Sequence, residues 1–363
     1  MKNFWLELKK PILALAPMAD VTDAAFRHII AKYSKTPLDG HHQGEFVIYT
    51  EFTSADGLVL APEKGKKKLL KNLEYSEMER PVVAQFFTSK PQIMEKAAAL
   101  AVELGFDGVD INMGCPDRTI EKQGAGAALI KNPKFARELI KAAKQGAQNK
   151  IPVSVKTRLG YNKDELEEWL PELLAENPAA ITIHARTRKE MSKTPARWER
   201  VKRAVEIRDS KTPPNPPLDQ GREYKREIAD DLPLLHKERS RRSPSEVLIL
   251  GNGDVSSVED AINKCNQTGA DGAMLGRAIF GNPWLFLPKS DLGIKEKLAV
   301  LIEHTNLFEQ KFAGFKSFAI MKKHYKAYLK DIPNTHELKM KLMEAKNASE
   351  VIHIVDSFLK NLN

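Results

Sequence analysis

Short runs rich in β-branched residues and apolar on both faces alternate along this chain with longer stretches whose apolar residues recur at helical spacing. The runs are Ile12–Leu15, Phe46–Tyr49, Val82–Gln85, Gly108–Asn112, Val153–Lys156, Ala180–His184, Val247–Leu250 and Gly272–Leu275. Strands covered by helices on one side and by a core on the other read in this way. The stretches between them, such as Ile93–Leu104 and Phe135–Gln145, carry Ala, Leu, Glu and Lys, which are good helix formers. Eight alternations predict an α/β protein, a (β/α)8 TIM barrel. A doubly wound sheet would place a glycine-rich turn after the first strand. Here that turn is Ala16-Pro17-Met18-Ala19-Asp20, without glycine.

Two segments depart from the alternation. Between Ile207 and Pro244 lie six prolines, both charges and no periodic apolar face. That composition predicts a mobile surface insertion over residues 208–245, with Arg239, Arg241 and Arg242 available to grip a polyanion. Past Pro288 the strand signals stop. Leu298, Leu301, Ile302, Phe308 and Phe312 predict one amphipathic helix, and Val351, Ile354, Val355, Phe358, Leu359 and Leu362 another. The chain therefore divides into a barrel over residues 1–290 and a small all-helical domain over residues 291–363. The middle of the second part is basic: Lys316, Lys322, Lys323, Lys326, Lys330, Lys339 and Lys341 stand against Asp331 and Glu337. Tyr325 and Tyr328 are interleaved, a pattern that suits an RNA surface and equally a solvated helix face.

Composition narrows the class. A length of 363 residues suits a barrel of about 250 residues with a smaller partner, and 42% hydrophobic content supports a full core. No apolar run approaches the roughly 18 to 20 residues that cross a bilayer. The start, Met1-Lys2-Asn3-Phe4-Trp5 followed by Glu7, Lys9 and Lys10, reads as an unprocessed terminus. Two cysteines, Cys115 and Cys265, offer neither a disulfide framework nor a metal-binding pair. The expectation is a cytoplasmic monomer with free thiols, no metal and no membrane contact. A net charge of +9 makes a polyanionic partner plausible.

In such barrels chemistry sits at the C-terminal ends of the strands. The residues there are Pro17 and Met18, Glu51, Gln85, Asn112 and Cys115, Lys156 and Arg158, His184 and Arg186, Asn252 and Gly253, then Gly276 and Arg277. Polar groups at nearly every strand end are costly to bury without a ligand, which points to an active site. Gly251-Asn252-Gly253-Asp254 and Gly276-Arg277 close the last two strands. Glycines let backbone N–H groups approach a phosphate and an arginine adds bidentate contacts, so a phosphate site is expected there. Gly124-Ala125-Gly126-Ala127-Ala128 follows no strand directly and is read as a flexible loop. Cys115, between Gly114 and Pro116, is a catalyst or a buried filler; Cys265, beside Ala261 and Ile262, reads as filler. Lys156 suits a Schiff base or a fixed cation beside an electron-rich cofactor, where His184 would donate to the same edge.

These residues resemble the tRNA-dihydrouridine synthases. The matching stretches are LAPMADVTDAAFR (Leu15–Arg27), INMGCP (Ile111–Pro116), the QGAGAAL run from Gln123, VKTRLG (Val155–Gly160), IHARTR (Ile183–Arg188), GNGD, and LGRAIFGNPW (Leu275–Trp284). The resemblance implies an oxidoreductase of CH–CH bonds that reduces uracil rings in tRNA. It implies FMN bound by Pro17, Met18, Ala19, Gln85, Lys156, His184, Asn252, Gly253, Asp254, Gly276 and Arg277. It further implies NADPH as electron donor, Cys115 as the acid, and a helical tRNA-binding domain. Asn112, Arg158 and Arg186 become candidates for the uracil edge and a nearby phosphate. The sequence departs from the family pattern at Met191–Pro195, where a Tyr and a Gly usually precede the Trp, and after Gln85, where a glycine is usual. Pro37–Gly44 looks like a local addition. The alternative is an FMN barrel acting on a free pyrimidine, which would not need the basic helical domain.

Overall fold

The computed structural model describes residues 3–35, 46–211, 247–287, 292–330 and 332–361. Nine strands are present among them: β1 (Ile12–Leu15), β2 (Phe46–Tyr49), β3 (Thr53–Ser54), β4 (Val82–Phe87), β5 (Gly108–Met113), β6 (Val153–Arg158), β7 (Ala180–His184), β8 (Leu248–Asn252) and β9 (Gly272–Leu275). All pairings are parallel. β1 lies between β2 (Leu13 opposite Phe46) and β9 (Ile12 opposite Gly272). The order then runs β9-β8-β7-β6-β5-β4, and Ile48 of β2 opposite Val82 of β4 closes the ring. Eight strands form the predicted barrel. β3 only adds two residues to the C-terminal end of β4, with Thr53 opposite Phe86.

Alternation along each strand splits its side chains between two cores. Ile12, Ala14, Val47, Tyr49, Val83, Leu248, Leu250 and Met274 share the interior cluster. Phe4 and Trp5, from a short 3-10 turn, join that cluster. A Cβ on Gly108, the first residue of β5, would come within 3.2 Å of the Phe4 ring, so the turn stops the N-terminal end of the barrel. Leu15, Phe46, Ile48, Val82 and Ile111 belong to the outer cluster beneath the helices.

Four helices follow the barrel: Ile294–Phe312, Met321–Tyr328, His336–Glu344 and Ala348–Lys360. Leu298, Leu301, Phe308 and Phe312 are buried as their spacing predicts. They dock on the first barrel helix, Ala24–Lys35. The Phe26 ring there packs against His304 (4.9 Å) and His324 (4.7 Å). Lys32 and Tyr33 reach Glu303, each at 2.6 Å. No described helix is long and apolar enough to cross a membrane.

Several expectations need correction. Tyr325 and Tyr328 are not RNA-facing but buried, because with Met321 and His324 they form the inward stripe of their helix. Lys316 is not a surface lysine either; its side chain is 10% exposed and pairs with Glu51 at 2.7 Å. The helix Trp198–Lys211 carries the chain past residue 208, so the proposed insertion begins later than expected. Its remaining residues, including Arg239, Arg241 and Arg242, lie outside the described residues, as does Pro37–Gly44. The stretch after Cys115 is no flexible loop. Ala125–Ile130 is buried around a 3-10 turn, and Ala127 N–H donates to the Cys115 carbonyl at 2.9 Å.

Candidate active site

A cavity of 660 Å³ opens at the C-terminal ends of the barrel strands. Every site residue singled out from the sequence lines it except Ala19, which is turned to solvent, and Glu51 and Gln85, which are buried away from it. Strands β4, β5, β6 and β8 run one or two residues past the apolar runs that announced them. Their polar ends therefore sit on rigid, paired backbone.

Cys115 follows β5 on a turn held from both sides. Asn112 Oδ1 accepts from the backbone N–H of Gly114 (3.1 Å) and of Cys115 (2.9 Å). Gly126 closes the turn from above; at φ 61° and with a Cβ only 2.8 Å from the Cys115 carbonyl, no side chain fits there. Arg158 Nε donates to the Gly114 carbonyl at 2.7 Å, and its Nη1 to the carbonyls of Thr187 and Met191. Burial raises the Cys115 thiol above its usual range, with the Asp117 charge adding to it. The sulfur thus stays protonated, as an acid requires.

Lys156, on β6, donates to Asn252 Oδ1 at 3.1 Å, and Asn252 Nδ2 in turn donates to the Met274 carbonyl at 2.8 Å. Burial foremost, and then the neighbouring Arg158 charge, lowers the lysine to about 8. With one hydrogen-bond acceptor among the described residues, its ammonium has two further N–H donors to offer the cavity. His184 ends β7. Arg186 Nη1 lies 3.0 Å from its Nε2; because a guanidinium has no acceptor, Nε2 must accept and Nδ1 must carry the proton. Burial and the charges of Arg158, Lys156, Arg186 and Arg277 hold this ring neutral, far below the usual histidine range.

At the last two strand ends the chain makes a basic rim. Gly253 has φ 117°, and a Cβ would come within 3.0 Å of the His184 ring. Asp254 accepts from Arg186, from Arg277 Nη2 at 2.7 Å and from the Ala196 N–H at 2.9 Å. These arginines hold its carboxyl below the usual range, Arg186 foremost. Lys156, Arg158, Arg186 and Arg277 against Asp254 leave the lining positive, which suits an anionic group. Arg186 is engaged on all three of its nitrogens, with Thr194, His184 and Asp254.

The match to known proteins is decisive. A family model described as dihydrouridine synthase matches residues 14–209 and 232–363. This chain belongs to the dihydrouridine synthase family. It is 35% identical over 360 residues to a probable tRNA-dihydrouridine synthase 2 of Bacillus subtilis, covering 98% of this chain and 97% of that protein. It is 34% identical over 360 residues to a probable tRNA-dihydrouridine synthase of Staphylococcus epidermidis, covering 98% and 96%. Among solved structures, histamine dehydrogenase from Rhizobium sp. 4-9 shares the fold with a TM-score of 0.50 at 13% identity; the match covers 81% of this chain and 48% of that one. A dihydrouridine synthase is an oxidoreductase, since its product carries two more hydrogens than uridine.

Sequence reasoning missed two residues around the site, and the partner of a third. Phe52, just past β2, lines the cavity. Asp110, inside β5, is wholly buried below it. Glu51 had been marked as a strand end, but its partner Lys316 comes from 265 residues away. No spacing rule could pair those two, whereas an acid in the middle of an apolar strand run was a usable signal for Asp110.

Proposed function

We propose that this chain reduces the C5=C6 bond of uridines in tRNA, with FMN as cofactor, NADPH as electron source and Cys115 as proton donor. The observation that carries this reading is one cavity joining the half-buried Cys115 thiol to Lys156 and a basic rim. The residues present fit FMN. Among the described residues Lys156 has two uncommitted donors and His184 one, while Gly253 and Gly276 keep side chains away from a wall whose charge is positive. In this reading Lys156 and His184 would serve the electron-rich edge of the ring, Asn252 orients Lys156, and Pro17 and Met18 would cover a flank. Gly253, Asp254, Gly276 and Arg277 would hold its phosphate. Asp254 contributes by aiming Arg186 and Arg277 rather than by its own charge. Gln85 and Ala19 act through neighbouring residues.

Bound and reduced, FMN supplies a hydride for uracil C6. Charge then builds toward C5 and O4, and the Cys115 thiol delivers its proton to C5. Proton transfer from a positioned group contributes about 10²–10⁴-fold. Asn112 and Arg158 hold the thiol's turn and present their remaining N–H donors to the base. The base must leave the tRNA stack, at a cost of a few kcal/mol that stacking in the site offsets.

Residues 291–363 would serve as the tRNA-binding domain, next to a barrel over residues 1–290. Lys322, Lys323 and Lys326 are at least partly exposed and form no ion pair with the described residues. The test is direct. Purified protein should be yellow and release FMN on denaturation, and with NADPH it should form dihydrouridine in unmodified tRNA transcript. Protein that stays colourless after incubation with FMN would overturn the proposal. Turnover of free uridine as fast as tRNA would favour the free-pyrimidine alternative.

A further inference from the structure

Beneath the cavity three side chains form a directed line that ends at the Cys115 turn. Its direction is dictated at both ends. Backbone N–H groups of Gly114 and Cys115 can only donate, so the atom they meet is Asn112 Oδ1. The Asn112 Nδ2 then points to Gln85, 2.9 Å away, which must offer Oε1. Gln85 Nε2 is left facing Asp110 Oδ2 at 2.6 Å. The other carboxylate oxygen accepts from Ser154 Oγ at 2.6 Å. Asp110 and Gln85 are wholly buried and Asn112 is 5% exposed, so water is no substitute partner. Burial raises the Asp110 carboxyl to about 6, and with both oxygens accepting, from Gln85 Nε2 and Ser154 Oγ, it is the acceptor that ends the line.

We propose that Asp110 is the positioning residue for the proton donor: its carboxylate sets which way the Gln85 and Asn112 amides point, and so holds the Cys115 turn. This rests on the reading of Cys115 as the acid. An amide can be flipped by half a turn without steric cost, and only its partners choose the orientation. If the acceptor at Asp110 is removed, Gln85 is free to reverse, Asn112 follows, and an N–H group meets the Cys115 N–H. The turn then loses its anchor. A catalytic group misplaced by about an ångström loses on the order of a hundredfold in rate.

The experiment uses FMN-loaded protein carrying Cys265→Ala, so that alkylation by iodoacetamide reports on Cys115 alone. Asp110→Ala should retain FMN and the KM for tRNA, while kcat falls about ten- to a hundredfold and Cys115 alkylates several-fold faster. Asp110→Asn can still present an oxygen to Gln85 and its amide to Ser154 Oγ, so it should restore kcat and slow alkylation. If Asp110→Ala does not fold, Gln85→Met cuts the same line at its next link and should show the same two effects. Wild-type kcat and alkylation rates in a folded Asp110→Ala or Gln85→Met would overturn the proposal. So would an Asp110→Asn variant as impaired as Asp110→Ala, because charge rather than amide direction would then be the cause. Cys115→Ala separates the two readings: if it keeps wild-type kcat, the acid assignment fails, while the alkylation rates still report whether Asp110 holds the turn.

Discussion

Replacing Lys316 with methionine should weaken both the molecule and its grip on the cofactor, because this lysine is the cation of a buried acidic cluster at the cavity rim. Its ammonium lies 2.7 Å from Glu51 Oε2, with the two side chains 10% and 6% exposed. Glu51 Oε1 accepts from the Asp20 N–H, which fixes the turn carrying Pro17 and Met18. Asp23 completes the cluster: its Oδ2 is buried without a hydrogen-bond partner among the described residues. Burial foremost, and then the Glu51 charge, raises Asp23 to about 6 against the opposing charge of Lys316. Removing one member of a buried pair costs about 3–5 kcal/mol, and a discount for the small residual exposure suggests about 3 kcal/mol here. The sign with pH follows from Asp23. A carboxyl whose folded pKa is raised penalises the fold above that pKa, and the penalty shrinks as pH falls from about 6 toward the ordinary carboxyl value of 3.8. The deficit of Lys316→Met against wild type should therefore be large at pH 8 and shrink by pH 5. Thermal melts at the two pH values measure this; at roughly 2–4 °C per kcal/mol, about 6–12 °C is expected at pH 8. FMN retention after gel filtration should fall in parallel. Adding Glu51→Gln should recover part of the loss, with a coupling energy above about 1 kcal/mol. A deficit below about 1 kcal/mol, or one equal at both pH values, would refute the reasoning.

Cys115→Ala should bind FMN and accept electrons from NADPH yet form dihydrouridine at least about a hundredfold more slowly; Cys265→Ala, which removes only a buried thiol raised to about 12, should match wild type. The buried histidines between barrel and C-terminal helices predict acid lability. Burial lowers His304 to about 3 and His324 well below its usual range, and neither ring nitrogen of His324 has a partner among the described residues. Such a base stabilises the fold above about pH 6.5 and loses that contribution as pH falls toward 3, by roughly 2 kcal/mol at pH 5. His324→Phe, which keeps the ring contact with Phe26, should therefore lose less stability than wild type between pH 8 and 5; equal losses in denaturant melts would count against it. Reversing Lys322, Lys323 and Lys326 to glutamate should weaken tRNA binding while NADPH still reduces the flavin. Each lost phosphate contact should lower the slope of log K against log salt by about 0.7–0.9. An unchanged slope would move the RNA surface elsewhere, with the exposed lysines Lys64, Lys67 and Lys68 of the helix Glu63–Leu73 the next to test.

Local pattern was enough for the barrel, because strand and helix periods differ and each strand must be apolar on both faces to be buried in this fold. All eight barrel strands lie within two residues of the runs that announced them. Strand ends could be read as the site for the same reason: in a closed parallel barrel every C-terminal end meets at one mouth, so Cys115, Lys156, His184 and Gly276 had to converge. What sequence could not determine was how the polar groups pair, since a hydrogen bond depends on distance and direction that no spacing encodes. Arg158 and Arg186, chosen as ligand-binding residues, are largely occupied by protein partners. Gln85 drops below the cavity to join Asp110 and Asn112. The inward side of the helix Met321–Tyr328 was likewise decided by packing: His324 is drawn against Phe26 and Phe280, Tyr325 meets Thr305 and Tyr328 meets His304, and Lys316 crosses to Glu51. A tyrosine beside lysines suits either face of a helix until a tertiary partner removes one face from water.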